Sequence, residues 1–315
     1  MTRQQQKKGS DEVNKLERIA EQAQALGCRC LREEPMSRHT TFKIGGPADL
    51  LVMAETQKQL SALLRLCRES EVPVSILGNG SNLLVSDRGI RGVVITLGGE
   101  FSKITLEGET GICCGAGVPL ASVCSFAREH SLTGLEFAWG IPGSAGGAAY
   151  MNAGAYGGEM KDVLCSCDHM TSDGELSSFS GDELELSYRH SAYSDSKEVI
   201  LFLHLKLQKG SQAEISAKME ELMRRRKEKQ PYDMPSAGSV FKRPVGYFAG
   251  GLIEQCGLKG CSVGGAQVSP KHAGFIVNTG GATCQDVQQL IEKIQQTVLR
   301  ETGVQLECEV RACGE

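Results

Sequence analysis

The chain reads as an α+β protein of more than one domain. Short β-rich pieces alternate with amphipathic helical stretches along 315 residues, enough chain for two or three buried cores. Two glycine-rich segments, at 77–85 and 134–158, interrupt that pattern. Neither has dinucleotide-fingerprint or Walker spacing, which disfavours a Rossmann domain. After Pro231 and Pro235 the chain alternates helix and strand again, as a separate compact α+β unit would.

In order, residues 1–10 read as a disordered tail. Residues 11–26 carry Val13, Leu16, Ile19, Ala20 and Ala23 at helical spacing, and Gly27 ends the run. The turn-rich stretch 34–49 holds a lone His39, for which a structural role is the ordinary one. A strand at 50–54 leads to an amphipathic helix at 56–70 with Leu60, Leu63, Leu64 and Cys67 on one face. The short buried strand 72–76 runs into Leu77-Gly78-Asn79-Gly80-Ser81-Asn82-Leu83-Leu84-Val85. Gly, Asn and Ser accept the left-handed and bridge conformations of a tight turn and leave N–H groups uncovered. Taken alone, this segment fits an ordinary turn and a ligand loop equally well.

Strands at 92–97, 104–107 and 110–114 and a helix at 118–130 precede the second segment. Between Gly134 and Gly158 it holds eight glycines and almost no charge. A solvated linker would be polar, and glycine at this density weakens any single long helix or strand. What remains is backbone that turns tightly, with N–H groups available to an anion or a flat cofactor. Together the two segments point to a phosphate-bearing cofactor. Strands at 163–171 and 199–208 follow, then a charged helix at 211–229 whose run Arg224-Arg225-Arg226-Lys227 reads as a solvated face. The last unit has a helix at 247–255, strands at 261–268 and 274–278, a helix at 284–302 and a strand at 305–312.

A net charge of −4 argues against general nucleic-acid binding, and no apolar run approaches a membrane span. Arg3, Lys7 and Lys8 are not followed by the apolar core of a secretory leader, so a cytoplasmic location is expected. The thirteen cysteines are odd in number and scattered through apolar segments, with no paired Cys-x-x-Cys motifs. They read as small core hydrophobes in a reducing compartment, and no metal is expected.

Three stretches place polar groups together. In Ser187-Tyr188-Arg189-His190-Ser191, Arg189 can hold a carboxylate through two parallel hydrogen bonds, although taken locally a surface arginine stacked on a tyrosine is the favoured reading. In Gly238-Ser239-Val240-Phe241-Lys242-Arg243, Ser239 follows a turn glycine. Without a matched His/Asp pair it reads as a proton donor or hydrogen-bonder rather than an acylated nucleophile, or simply as a capping serine. Lys242 and Arg243 are candidates for neutralising a diphosphate. In Gln305-Leu306-Glu307-Cys308-Glu309-Val310-Arg311, strand alternation puts Glu307, Glu309 and Arg311 on one face.

These stretches, in this order, resemble the bacterial UDP-N-acetylenolpyruvoylglucosamine reductases, flavoenzymes that complete UDP-N-acetylmuramate in peptidoglycan synthesis. The matching pieces begin with His39-Thr40-Thr41-Phe42-Lys43-Ile44-Gly45-Gly46-Pro47-Ala48, Gly78-Asn79-Gly80-Ser81-Asn82-Leu83 and Gly140-Ile141-Pro142-Gly143-Ser144-Ala145-Gly146-Gly147. They continue with Met151-Asn152-Ala153-Gly154-Ala155-Tyr156-Gly157, Tyr188-Arg189-His190-Ser191, Gly238-Ser239-Val240-Phe241, Leu258-Lys259-Gly260 and Glu309-Val310-Arg311. The resemblance spans roughly residues 39–315. Trp139 stands where the family usually carries a small residue. Arg243 and Gly274 stand where the commoner pattern has asparagines, as in the shorter second type of the family, which lacks a tyrosine-bearing substrate loop.

The resemblance implies a vanillyl-alcohol-oxidase/PCMH-type FAD-binding fold of two α+β subdomains, expected at 11–77 and 78–210. A C-terminal α+β substrate-binding domain is expected at 211–315. It implies non-covalent FAD, with Gly78, Asn79, Gly80, Ser81, Asn82 and Leu83 at the diphosphate. Gly140, Ile141, Pro142, Gly143, Ser144, Gly146, Gly147, Asn152, Ala153, Gly154, Ala155 and Arg311 would line the cofactor. Tyr188, Lys242, Arg243, Lys259 and Lys271 would meet the sugar nucleotide. NADPH would reduce the flavin, which would then pass a hydride to the enolpyruvyl alkene. Arg189 and Glu309 match the positions that stabilise the resulting enediolate, and Ser239 matches the proton donor. The expected working form is a monomer or weak oligomer. Two other readings remain at this point: an oxygen-using oxidase of the same fold, and a flavin-binding module that has lost its chemistry.

Overall fold

The computed structural model describes residues 3–315, with side chains described from residue 13 onward. The chain divides into two compact units. One comprises residues up to 34 together with 48–78 and 91–222; the other comprises 35–47, 79–90 and 223–315.

The first unit opens with the helix Arg3–Ala25, which places Ile19, Ala20 and Ala23 in the core. The helix therefore takes in 3–10, most of the expected disordered tail, while residues 1 and 2 lie outside the described residues. Glutamine and lysine are good helix formers and dominate 4–8, so the periodic segment extends backwards through them. A four-stranded sheet follows in the order Arg29–Pro35, Pro47–Ala54, Ile90–Leu97, Val74–Leu77, the last two strands parallel. The helix Gln57–Glu69 packs Leu60, Leu63 and Cys67 inward. Its start is set by a capping box, with the Thr56 side chain accepting from Gln59 N and Gln59 reaching back.

The second layer of this unit is a five-stranded antiparallel sheet in the order Leu176–Ser180, Leu164–Met170, Val199–Lys206, Gly111–Gly115, Ile104–Glu107. Leu120–Glu129 and the six-residue helix Ala145–Tyr150 pack with it. The unit has two apolar clusters, one around Leu50, Leu63, Val93 and Phe101 and one around Ile112, Val123, Leu203 and Leu205. Strand Val199–Lys206 contributes to both.

The second unit is built on a four-stranded antiparallel sheet in the order Ser236–Ser239, Phe275–Asn278, Ala266–Val268, Ser262–Val263. The helix Cys284–Thr302 buries Val287, Leu290, Ile294 and Val298 against the same core as Phe42, Leu84, Val240 and Phe241. Its N-terminus is capped by Thr283 and by the Asp87 carboxylate, which accepts from Cys284 N at 2.8 Å and Gln285 N at 3.0 Å. Leu83–Val85 pairs in parallel with Arg311–Cys313.

Three expectations need correction. Segments 35–47 and 79–90, assigned from the sequence to the cofactor subdomains, pack with the C-terminal unit, because Phe42, Ile44 and Leu84 enter its core. The strand expected at 305–312 is regular only at Arg311–Cys313. Upstream a single bridge joins Cys308 to Phe241, so alternation does not set the faces of Glu307 and Glu309. In the basic run, Arg224 pairs with Glu228 in solvent, but Arg226 is buried and bonds Gln230 at 3.3 Å.

All thirteen cysteines are free thiols, and Cys28, Cys67, Cys114, Cys124, Cys167 and Cys284 are buried. No described helix is long and apolar enough to cross a membrane.

Candidate active site

In the first unit the two glycine segments converge. A Cβ built on exposed Gly78 would overlap the Ser144 hydroxyl oxygen while meeting Ser144 Cβ at 3.5 Å, so the absence of a side chain at Gly78 lets the Ser144 hydroxyl lie against it. Ser144 is buried and caps Ala145–Tyr150 by accepting from Gly147 N at 3.2 Å. Gly146 is held against Ala116, where an added Cβ would come within 2.7 Å of the Ala116 Cβ. Gly140 takes the positive φ of 84° that turns the chain into Ile141 and Pro142, and Gly147 stays exposed.

Asn152, expected to line the cofactor, directs its side chain into the protein. Its amide donates to Glu159 and to the Ser187 carbonyl at 2.9 Å and accepts from Lys161 N. That side chain positions the 152–161 turn and the 187–190 turn together, leaving backbone atoms for any ligand contact. In the latter turn Arg189 has a φ of 55°, its guanidinium reaches the Gly154 carbonyl at 3.4 Å, and its Cζ lies 5.2 Å from the Tyr188 ring centre. A left-handed arginine is uncommon, and such backbone strain clusters at functional sites. Arg189 is thus joined to Gly154, and through Asn152 to the glycine segment. Trp139 lines, with Ile104, Ser122 and Phe126, a surface hollow of about 340 Å³.

In the second unit, Asn79, Gly80, Ser81, Asn82 and Leu83 are bracketed from both sides. Thr41 N donates to the Gly80 carbonyl, and a Cβ on Gly80 would overlap the His39 carbonyl. Arg311 N donates to the Asn82 carbonyl at 3.0 Å, and the Asn82 side chain donates to the Glu309 carbonyl at 3.2 Å. Among the described residues, the N–H groups of Gly80 and Ser81 make no protein hydrogen bond. Two free backbone donors in a glycine turn are what a diphosphate requires.

The same unit brings Ser239 and Glu309 onto neighbouring backbone, since Glu309 N donates to the Val240 carbonyl at 2.7 Å. Gly238 adopts the expected turn with a φ of 76°, and the Ser239 hydroxyl donates to the Phe241 carbonyl at 3.2 Å. The position a Cβ would take on Gly274 lies 3.6 Å from Ser239 Oγ and 3.0 Å from the His272 ring. His272 was missed by sequence reading because an isolated histidine has no spacing signal. Its Nδ1 accepts from Gly274 N at 3.1 Å, and burial holds its charge down, with nearby Lys259 acting in the same direction.

The candidate diphosphate cations are committed only weakly. Lys242 pairs with Glu307 at 3.5 Å and Lys259 with Glu254 at 2.6 Å, Lys271 donates to the Lys227 carbonyl, and Arg243 lies 4.0 Å over Phe248. Exposed pairs of this kind contribute about 0–1 kcal/mol, so exchanging them for phosphate oxygens costs little.

Residues 230–313 match a family model described as the C-terminal domain of UDP-N-acetylenolpyruvoylglucosamine reductase, and residues 48–180 match one described as an FAD binding domain. A protein of that reductase name from Agathobacter rectalis is 50% identical over 308 residues, covering 94% of this chain and 97% of its own. One from Caldanaerobacter subterraneus subsp. tengcongensis is 51% identical over 282 residues, covering 90% and 93%. The chain belongs to the UDP-N-acetylenolpyruvoylglucosamine reductase family. The crystal structure of the reductase from Thermus caldophilus superposes with a TM-score of 0.78 at 38% identity, covering 91% of this chain and 98% of that one. The fold is therefore the FAD-binding type with the family's C-terminal domain, and the chain is an FAD-dependent oxidoreductase. Within the first unit the uncharged glycine cradle around Gly78 and Ser144 suits a flat cofactor, and within the second the free N–H donors of Gly80 and Ser81 suit a phosphate, the two chemical parts of an FAD.

Proposed function

We propose that this protein reduces the enolpyruvyl group of UDP-N-acetylglucosamine enolpyruvate to UDP-N-acetylmuramate, with NADPH as the electron source, in peptidoglycan precursor synthesis. Bound FAD supplies the hydride relay between NADPH and the alkene carbon beta to the carboxylate. Gly78, Gly147 and Gly154 would face it with backbone only, and the N–H groups of Gly80 and Ser81 would hold its diphosphate. Arg311 is proposed to fix the 79–83 turn from the side, through the bond it donates to Asn82.

As the beta carbon gains a hydride, negative charge builds on the substrate carboxylate as an enediolate. Arg189 presents a planar cation suited to that charge. Glu309 would share the load in protonated form, since an ionised carboxylate there would repel the dianion. Ser239 delivers the proton to the alpha carbon; a serine is a weak acid, sufficient here because the enediolate is strongly basic and held close. Lys242, Arg243, Lys259 and Lys271 offer cations to the UDP diphosphate, and Tyr188 a ring and hydroxyl to the sugar. We infer a cytoplasmic location, where a water-soluble nucleotide sugar and NADPH would meet the enzyme, and a monomer or weak oligomer as the working form.

The backbone bond from Glu309 N to the Val240 carbonyl supports this reading at the residue level, because it brings the chain at Glu309 next to the residue that follows Ser239. Ser239→Ala tests it. Anaerobic NADPH should still bleach the flavin at the parental rate, while recolouring by the enolpyruvyl substrate should fall about 10²-fold or more. Recolouring at the parental rate would remove Ser239 from the mechanism. Failure of NADPH to bleach the parental enzyme would remove the reaction.

A further inference from the structure

Away from these residues, the five-stranded sheet of the first unit gathers four side chains that the reduction does not use. Cys113 and His204 sit directly opposite each other on neighbouring strands, and Cys113 also faces Thr105 on the next strand. Glu107 lies two residues beyond Thr105 and so projects from the same side as Cys113 and His204. The alternate residues Cys114, Leu203 and Leu205 point the other way, into the core. The result is a row of carboxylate, thiol and imidazole on the face opposite the packed one.

We propose that this face binds a divalent transition-metal ion of the zinc class through the Glu107 carboxylate, Cys113 Sγ and His204 Nδ1, with water as the fourth ligand. The three ligand atoms lie within 4.8 Å of one another. A tetrahedral ion with bonds of about 2.0–2.3 Å spaces its ligands roughly 3.5 Å apart, so modest side-chain rotation closes the site. The fourth residue is the more telling one. His204 Nε2 is 3.1 Å from Asp168 Oδ2, while Nδ1 is 3.0 Å from Glu107. A metal-bound histidine characteristically hands its other ring N–H to a carboxylate, which fixes the ring and raises its basicity. Asp168 already occupies that position, so the ring is held with Nδ1 towards Glu107 before any metal arrives.

The donor set of one thiolate, one imidazole and one carboxylate selects zinc or cobalt over calcium or magnesium. Binding takes His204 as the neutral imidazole and displaces the Cys113 thiol proton to the buffer, with no redox change. Burial, then Glu107 and Asp168, push the Cys113 thiol up to about 11; a cation between the carboxylates and the sulfur reverses the carboxylate part of that effect. No sequence motif announces this site, because the ligands come from separate strands and meet only through sheet register.

The test uses the full-length, FAD-loaded, reduced protein freed of chelator. Calorimetric titration with Zn²⁺ should show an equivalent that disappears in Cys113→Ser and in His204→Ala. Asp168→Asn should keep that equivalent with affinity weakened about 10–100-fold. Co²⁺ should give tetrahedral visible bands, to the red of the flavin, in the parent and not in Cys113→Ser. Identical zinc stoichiometry in parent and variants, or no binding by the parent, overturns the proposal. Should either ligand variant fail to fold, X-ray absorption on the zinc-loaded parent decides. One sulfur among nitrogen and oxygen neighbours supports the site; no sulfur, or two or more, refutes it.

Discussion

Replacing Gly78 by alanine tests the convergence of the glycine segments. The added methyl overlaps Ser144 Oγ but clears Ser144 Cβ at 3.5 Å, so the conflict is with a single oxygen. Forcing it into a packed site costs about 1–3 kcal/mol. Moving Ser144 aside also sacrifices its bond from Gly147 N, a helix cap worth about 1 kcal/mol. Gly78 lies outside the left-handed region, so restricting the unfolded chain returns about 0.4–1 kcal/mol. The net expectation for Gly78→Ala is a loss of about 2 kcal/mol, together with FAD binding weakened at least tenfold. Ser144→Ala alone loses only the cap, about 1 kcal/mol. The double variant Gly78→Ala/Ser144→Ala removes the clashing oxygen and should be more stable than Gly78→Ala by about 1–2 kcal/mol, a coupling within the range seen for touching residues. Denaturant midpoints of the four apo-proteins and flavin-fluorescence titrations measure both quantities. A double variant less stable than Gly78→Ala, or unchanged FAD affinity in Gly78→Ala, would refute the packing argument.

Two further outcomes follow from the same structure. His169 is buried beside Tyr193, 3.1 Å from its hydroxyl, and burial holds its charge down. Its folded-state pKa lies below the unfolded one, so its contribution is fully present above about pH 6.5 and is lost as the pH falls. The slope approaches at most about 1.4 kcal/mol per pH unit, and denaturation profiles of His169→Gln should be flatter through this window. Asp87→Ala removes both carboxylate acceptors from the N-terminus of Cys284–Thr302 and should cost about 1–2 kcal/mol, with Asp87→Asn recovering part of it; equal denaturation midpoints for all three proteins would contradict the cap.

Local elements were legible where one physical rule acted alone. The helix 56–70 was visible from its apolar spacing and closes at Gln57–Glu69, and 284–302 coincides with Cys284–Thr302, because an amphipathic face and a capping residue coincide in each. The glycine segments were legible from composition as tightly turning backbone, yet Ala145–Tyr150 hides inside one of them, because a single buried turn needs small residues rather than an amphipathic pattern. The strand Arg29–Pro35 carries mostly polar side chains and gave no periodic signal. His272 and the Glu107–Cys113–His204–Asp168 row were invisible, since their neighbours are distant along the chain.

The order of glycine-rich and short polar motifs was sufficient, through their resemblance to a known family, to identify an α+β flavoprotein reductase; serine, arginine and glutamate as its chemical groups belong to the proposal. Those properties are encoded by residue type at local spacing. Tertiary structure alone decided that 79–83 packs with the C-terminal unit, that Asn152 holds turns together, and that His272 and Ser239 both lie against Gly274. It also decided that four strands align carboxylate, thiol and imidazole in a row. Each depends on sheet register or core burial, which bring residues together across tens to hundreds of positions and leave no trace in any short window of sequence.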